Sequence, residues 1–158
     1  MNGKLIGGGI VVIALIFGAV VYYSQEYGYY DEIAPGSQAA KISLVELDGT
    51  TLDPLQAEGF KGIDADSSPL RYRACFKTDL SIATATETYE VYDKATPLIG
   101  PKWFDCFDAK TIGADLESGR AVAFLSQHNI RPGVDRVVAL YPDGRAFVWH
   151  QLNDEAEK

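Results

Sequence analysis

Residues 5–23 read LIGGGIVVIALIFGAVVYY, a run with no charged side chain. As an α-helix its 19 residues reach about 28 Å, close to the hydrocarbon thickness of a bilayer. Polar residues begin abruptly on both sides. Tyrosines crowd the carboxyl end at Tyr22, Tyr23, Tyr27, Tyr29 and Tyr30. Such amphipathic rings favour the headgroup layer, which makes Tyr22, Tyr23, Tyr27 and Tyr30 the expected interface anchors. Gly7, Gly8 and Gly9 would each weaken a helix in water by about 1 kcal/mol relative to alanine. In hydrocarbon the alternative is an unpaired amide costing several kcal/mol, so helix wins there.

Orientation follows from the flanks. The amino terminus and Lys4 precede the run, whereas Glu26, Asp31 and Glu32 follow it. Positive residues stay cytoplasmic, which predicts an inner-membrane protein with its amino terminus inside and its remaining domain in the periplasm. A cleaved signal peptide is the rival. The Ser37-Gln38-Ala39 triplet has the small-residue shape of a cleavage site but lies well beyond the run, and Phe17-Gly18-Ala19 has a bulky first residue. A permanent signal-anchor is therefore expected. Around the helix, Gly7, Val11, Ala14 and Gly18 share one face. Small residues there let a second helix approach, so the expected partners are the lipid bilayer and a transmembrane helix of a membrane complex.

Beyond the run, 24–40 reads as a tether in which Pro35-Gly36-Ser37 hands over to a fold. Residues 41–152 read as one α+β domain and 153–158 as a charged, frayed tail, with 1–4 left on the cytoplasmic side. Within the domain, 41–47 alternates as a first strand ended by Asp48-Gly49, and 50–55 returns as its partner. Residues 62–69 read as a polar loop. Asp64, Asp66 and Ser68 copy the opening of a calcium loop, but Leu70 and Cys75 occupy positions where ligands belong. Residues 70–78 predict a strand with Leu70, Tyr72, Ala74 and Phe76 on one face. Arg71, Arg73, Cys75 and Lys77 then form a basic stripe expected in solvent, with pairing to acidic neighbours as the alternative. Residues 84–97 are ambiguous between strand and irregular chain. Asp108 suits a helix cap, with Ala109, Ile112 and Leu116 as the apolar stripe and Gly119 as the exit. A strand begins at 122–125. The clearest hairpin joins 134–141 to 145–151 through Pro142-Asp143-Gly144. The expected class is α+β: one apolar helix, then a mostly antiparallel sheet with a short helix.

The net charge of −8 disfavours phosphate backbones, so no nucleic-acid partner is expected. Cys75 and Cys106 are the two cysteines, and in an exported domain they are expected to form a bridge. Two buried thiols are the alternative; redox chemistry is disfavoured because the spacing is not CxxC. His128 and His150 are the two histidines, and neither stands in a metal-ligand spacing. Asp105 and Asp108 flank aromatics and suit caps and ion pairs better than acid–base work. No nucleophile elbow, phosphate loop or cofactor motif is present, so a non-catalytic protein without cofactor or metal is expected.

Taken together, Gly62-Ile63-Asp64-Ala65, Ser67-Ser68-Pro69-Leu70, Arg73-Ala74-Cys75-Phe76, Trp103-Phe104-Asp105-Cys106-Phe107-Asp108 and Tyr141-Pro142-Asp143-Gly144-Arg145 carry a resemblance. The chain resembles an uncharacterised alphaproteobacterial family of short single-span membrane proteins over nearly its full length. Members are sometimes labelled histidine kinase. The chain is too short for a kinase's nucleotide-binding domain, so the resemblance implies at most a kinase-associated input domain. The leading expectation is an accessory or assembly factor of a membrane complex. A sensing or ligand-binding module of envelope signalling is the alternative.

Overall fold

The computed structural model describes residues 2–156. Helix α1 spans Gly3–Tyr23 and runs on through a π-helical turn at Ser24–Gly28. Gly3–Gly28 is long and apolar enough to cross a membrane, a property it shares with signal sequences. None of its side chains is buried.

Then follow β1 (Asp31–Glu32), β2 (Ile42–Val45), β3 (Leu52–Leu55), β4 (Glu58–Asp64) and β5 (Arg73–Lys77). After them come α2 (Ile82–Thr88), α3 (Ala109–Glu117), β6 (Val122–Arg131), β7 (Val134–Leu140) and β8 (Arg145–Leu152). Six strands form one sheet in the order β1-β4-β5-β8-β7-β6, with every neighbouring pair antiparallel. The β2–β3 hairpin forms a separate two-stranded sheet.

Both faces of the large sheet are covered, which is why β7 is buried at every position. One face carries Ile63, Cys75, Val137, Ala139, Phe147 and Trp149, packed under Phe104, Phe107 and Ile112 of the α3 side. The other carries Tyr72, Ala74, Phe76, Val138, Leu140 and Val148, packed under Ile42 and Leu44 of β2, Ala85 of α2 and Tyr89. A strand buried on both faces reads as a nearly continuous apolar run instead of alternating.

The α+β class, the first hairpin and the β7–β8 hairpin stand as read, and Cys75 and Cys106 are bridged. Gly144 sits at φ +83° in the turn, and a Cβ there would meet Thr78 O at 2.9 Å, so the turn requires glycine. Asp108 caps α3, accepting from the amides of Lys110 (3.0 Å) and Thr111 (3.4 Å) and from the Thr111 hydroxyl (2.8 Å). These bonds hold its carboxyl below the usual range. Asp108→Ala is expected to cost about 1 kcal/mol, measured as a lower denaturant midpoint at unchanged m-value.

Three readings change. The loop expected at 62–69 begins as β4, which continues to Asp64. Gly62 is in the strand because the Phe60 ring lies over it, 2.7 Å from where a Cβ would stand. The stripe expected in solvent is not a solvated face, since Arg73 is only 3% exposed. Its guanidinium donates to the carbonyls of Leu98 (2.7 Å), Leu70 (2.7 Å), Tyr72 (2.6 Å) and Ile99 (3.3 Å), and lies over the Phe107 ring. Part of the ambiguous 84–97 segment belongs to α2, which Ser81 caps by accepting from the Thr84 amide at 3.1 Å. The strand that begins at 122–125 continues to Arg131 and includes His128.

The ends differ too. The segment read as a tether donates β1 to the sheet edge, with Asp31 opposite Asp64 and Glu32 opposite Ile63. Asn153, expected to fray, donates its side chain to Asp135 (2.7 Å) and Asn129 (2.9 Å), and Asp154 pairs with Lys94 at 2.8 Å. Glu157 and Lys158 lie outside the described residues.

Candidate functional site

The β7–β8 register places Arg136 opposite His150. Both belong to the face that the β2–β3 hairpin covers, at the end where that cover opens into a cleft of about 970 Å³. The His150 ring stacks on Tyr72, with centroids 4.6 Å apart, and Arg136 Cζ stands 4.3 Å from the centroid of the same ring. Tyr72 is itself anchored, its hydroxyl donating to Ala39 O at 2.8 Å.

Hydrogen bonds fix the histidine's tautomer. Nε2 accepts from Arg136 Nε at 3.0 Å, which leaves Nδ1–H to donate to Pro69 O at 2.7 Å. Burial, and then the Arg136 charge, push the His150 pKa down to about 4, so the imidazole is neutral at pH 7. Burial also raises the Tyr72 phenol to about 12. Across the cleft, burial raises the Asp64 carboxyl, opposed by the Ala65 amide and by Arg136. Lys41 and Arg131 stand exposed on the rim. This arrangement offers a fixed cation, a neutral imidazole and apolar walls. It can bind and orient a ligand.

The second feature is the join between α1 and the domain. Trp103 Nε1–H donates to Glu26 O, and its ring stacks on Tyr27 with centroids 6.2 Å apart. Tyr30 meets Trp103 edge-on and packs against the core, while Arg71 lies over Tyr29 and Tyr30. Of the tyrosines read as interface anchors, Tyr22 and Tyr23 are exposed and Tyr27 is exposed beside Trp103. Tyr30 is committed to the domain instead. Gly7, Val11, Ala14 and Gly18 are all exposed, and nothing stands within 4 Å of a Cβ placed at Gly7 or Gly18.

The residues weighed for chemistry occupy separate places. His128 Nδ1 lies 2.9 Å from Asp135, which also accepts from Tyr92 (3.0 Å), the Asn129 amide (2.9 Å) and Asn153 (2.7 Å). Asp135 thus ties β6, β7, the 89–96 segment and the carboxyl-terminal turn together. Asp105 is exposed in the loop before α3, and Asp108 caps that helix. Among the described residues no group of three His, Cys, Asp or Glu side chains is placed to hold a metal ion.

The Arg136–His150–Tyr72 stack escaped the sequence reading, which found no ligand spacing around the histidines. A hairpin centred on Asp143 pairs residues equidistant from it, and that register alone sets 136 against 150. A family model described as a family of unknown function, DUF6446, matches residues 42–158, so the match covers the domain and not α1. No curated protein and no solved structure matches the chain.

Proposed function

We propose, for a chain that belongs to the DUF6446 family of unknown function, a role as a single-pass membrane protein whose exported domain is an accessory or assembly factor of a membrane complex. The observation that carries this reading is the join between helix and domain. Trp103 takes its acceptor from Glu26, and residues 31–32 complete the sheet edge. Cleavage after residue 39 would remove both, along with the Ala39 carbonyl that accepts from the Tyr72 hydroxyl. A removable signal has no use for such joints, which supports a permanent anchor over a signal peptide.

In this reading the amino terminus and Lys4 stay on the cytoplasmic side. The domain then stands in an oxidising compartment where its disulfide persists. The face made by Gly7, Val11, Ala14 and Gly18 is left for a neighbouring helix, where close backbone approach replaces hydrophobic driving force. Because the domain is stacked on the helix end, a change in helix partner is felt at Trp103. Asp108 and His128 sit in structural bonds, which favours a non-catalytic role.

Blue-native electrophoresis of gently solubilised membranes tests it. The wild-type protein is expected in a species larger than the monomer, and Gly7→Leu or Gly18→Leu is expected to release it. Monomeric migration for all three proteins sinks the reading. A second reading, an input module of envelope signalling that binds a small molecule, is favoured by the cleft at Arg136.

A further inference from the structure

We infer that the cleft at Arg136 is a binding site for a small organic acid, its carboxylate held by the guanidinium and its apolar body laid against the β2–β3 hairpin. The inference rests on the second reading, that the domain binds a small molecule, and adds the chemical class.

Two arginines are buried in this domain, and they are used differently. Arg73 spends all three of its nitrogens on loop carbonyls. Arg136, 8% exposed, bonds His150 through Nε and makes only a long 3.5 Å contact from Nη1 to Lys41 O. No carboxylate of the described residues lies within ion-pair distance of it. Nη2 has no acceptor among the described residues, yet it is not among the sealed, unpartnered atoms, so it is open to the cleft. A buried guanidinium with no carboxylate in direct contact and Asp64 acting on it only from a distance is costly, and it is relieved by an anion from outside.

The fork is also prepared for one. His150 fixes its Nε edge and the Tyr72 ring stands 4.3 Å from its Cζ, which leaves the Nη1–Nη2 edge for two parallel bonds. Preorganisation of this kind lowers the ordering cost of binding.

The surrounding charge selects among anions. Lys41, Arg131 and Arg136 line the cleft opposite Asp64 and Asp66. Three cations against two carboxylates balance a single negative charge and leave the second charge of a phosphate dianion uncompensated. Leu52, Pro54, Leu55 and Ile130 supply apolar wall, suited to a hydrocarbon body and not to a bare inorganic ion. A volume of about 970 Å³ is in the range of small-molecule sites.

The full-length protein in zwitterionic-lipid nanodiscs is titrated with hexanoate while the His150 Nδ1–H resonance is followed by NMR. Hexylamine and inorganic phosphate serve as parallel probes. Hexanoate is expected to move the resonance saturably with a Kd of about 1 mM, and neither other probe is expected to saturate. Arg136→Lys is expected to weaken hexanoate about tenfold, since a point charge cannot reproduce the fork. That variant also loses the bond to His150, so K41E/R131E on the exposed rim is measured beside it. The rim variant is expected to bind about threefold more weakly at unchanged melting temperature. Failure of hexanoate to saturate the wild-type protein overturns the proposal, as does equal binding by both variants. Saturation by phosphate or hexylamine instead overturns the organic-acid class but leaves a ligand-binding cleft. Silence towards every probe removes the second reading with it.

Discussion

Replacing Cys75 and Cys106 with serine is expected to lower stability by about 3–4 kcal/mol. The bridge joins residues 31 apart and so restricts a long loop in the unfolded chain. What that loop contains makes the constraint matter. Between the cysteines lie α2 and the 89–105 segment, which pairs with the strands through isolated bridges, Glu46 to Tyr89 and Val91 to Phe124, and is otherwise tied to them by side chains such as Arg73 and Asp135. Phe104 and Phe107 are carried into the core on the same loop, beside Cys106. Without the bridge, these aromatics must find β5 and β8 with no covalent help. Urea unfolding of oxidised, reduced and C75S/C106S protein measures the difference. The reduced wild type should match the variant. Hydrogen exchange should loosen first in 89–108, ahead of the β7–β8 hairpin. Coincident midpoints for all three samples would refute the expectation.

The parts of the fold legible from sequence were those specified by local chemistry. Asp143-Gly144 announced its hairpin, Asp108 its helix, and an uncharged run of 19 residues its single long helix. What stayed illegible depended on distant chain. The side of β5 bearing Arg73 looks solvated until a loop from 98–99 arrives to accept its protons. Gly62 looks like a loop residue until the Phe60 ring is seen lying over its missing side chain. Helix α2 is rich in threonine, whose branched side chains suggest strand. Its Thr86 and Thr88 hydroxyls instead bond carbonyls one turn back within the helix. The candidate site fell between these cases. The hairpin register that opposes Arg136 and His150 follows from the turn, but Tyr72 and the covering β2–β3 hairpin come from elsewhere in the chain. Only their arrival turns a cross-strand pair into the floor of a cleft.

Acidification is expected to destabilise the protein by about 3 kcal/mol between pH 6.5 and pH 4, chiefly through His150. Its folded pKa is pushed from 6.5 to about 4 by burial, with Arg136, Arg73 and Arg131 acting in the same direction. Above pH 6.5 the folded and unfolded chains both hold a neutral imidazole, and this group contributes no pH dependence. As the pH falls below 6.5, the unfolded chain takes up a proton that the folded one refuses. Stability therefore falls until the folded pKa is reached. The lowered carboxyls of Asp48, Asp108, Asp115 and Asp143 add their losses only below their ordinary value of 3.8. Asp64 acts with the opposite sign. Its raised pKa means that the folded chain binds that proton first, which offsets part of the loss near the acid end of the window. His150→Gln separates these contributions, because glutamine offers one donor for Pro69 O and one acceptor for Arg136 Nε without titrating. Denaturant midpoints taken across this range should fall steeply for the wild type and stay nearly level for the variant. Parallel slopes would mean that the proton goes elsewhere and that His150 is not the group holding Arg136 in place. Because an imidazolium has no lone pair for Arg136 Nε, protonation would also free the guanidinium from its fixed orientation.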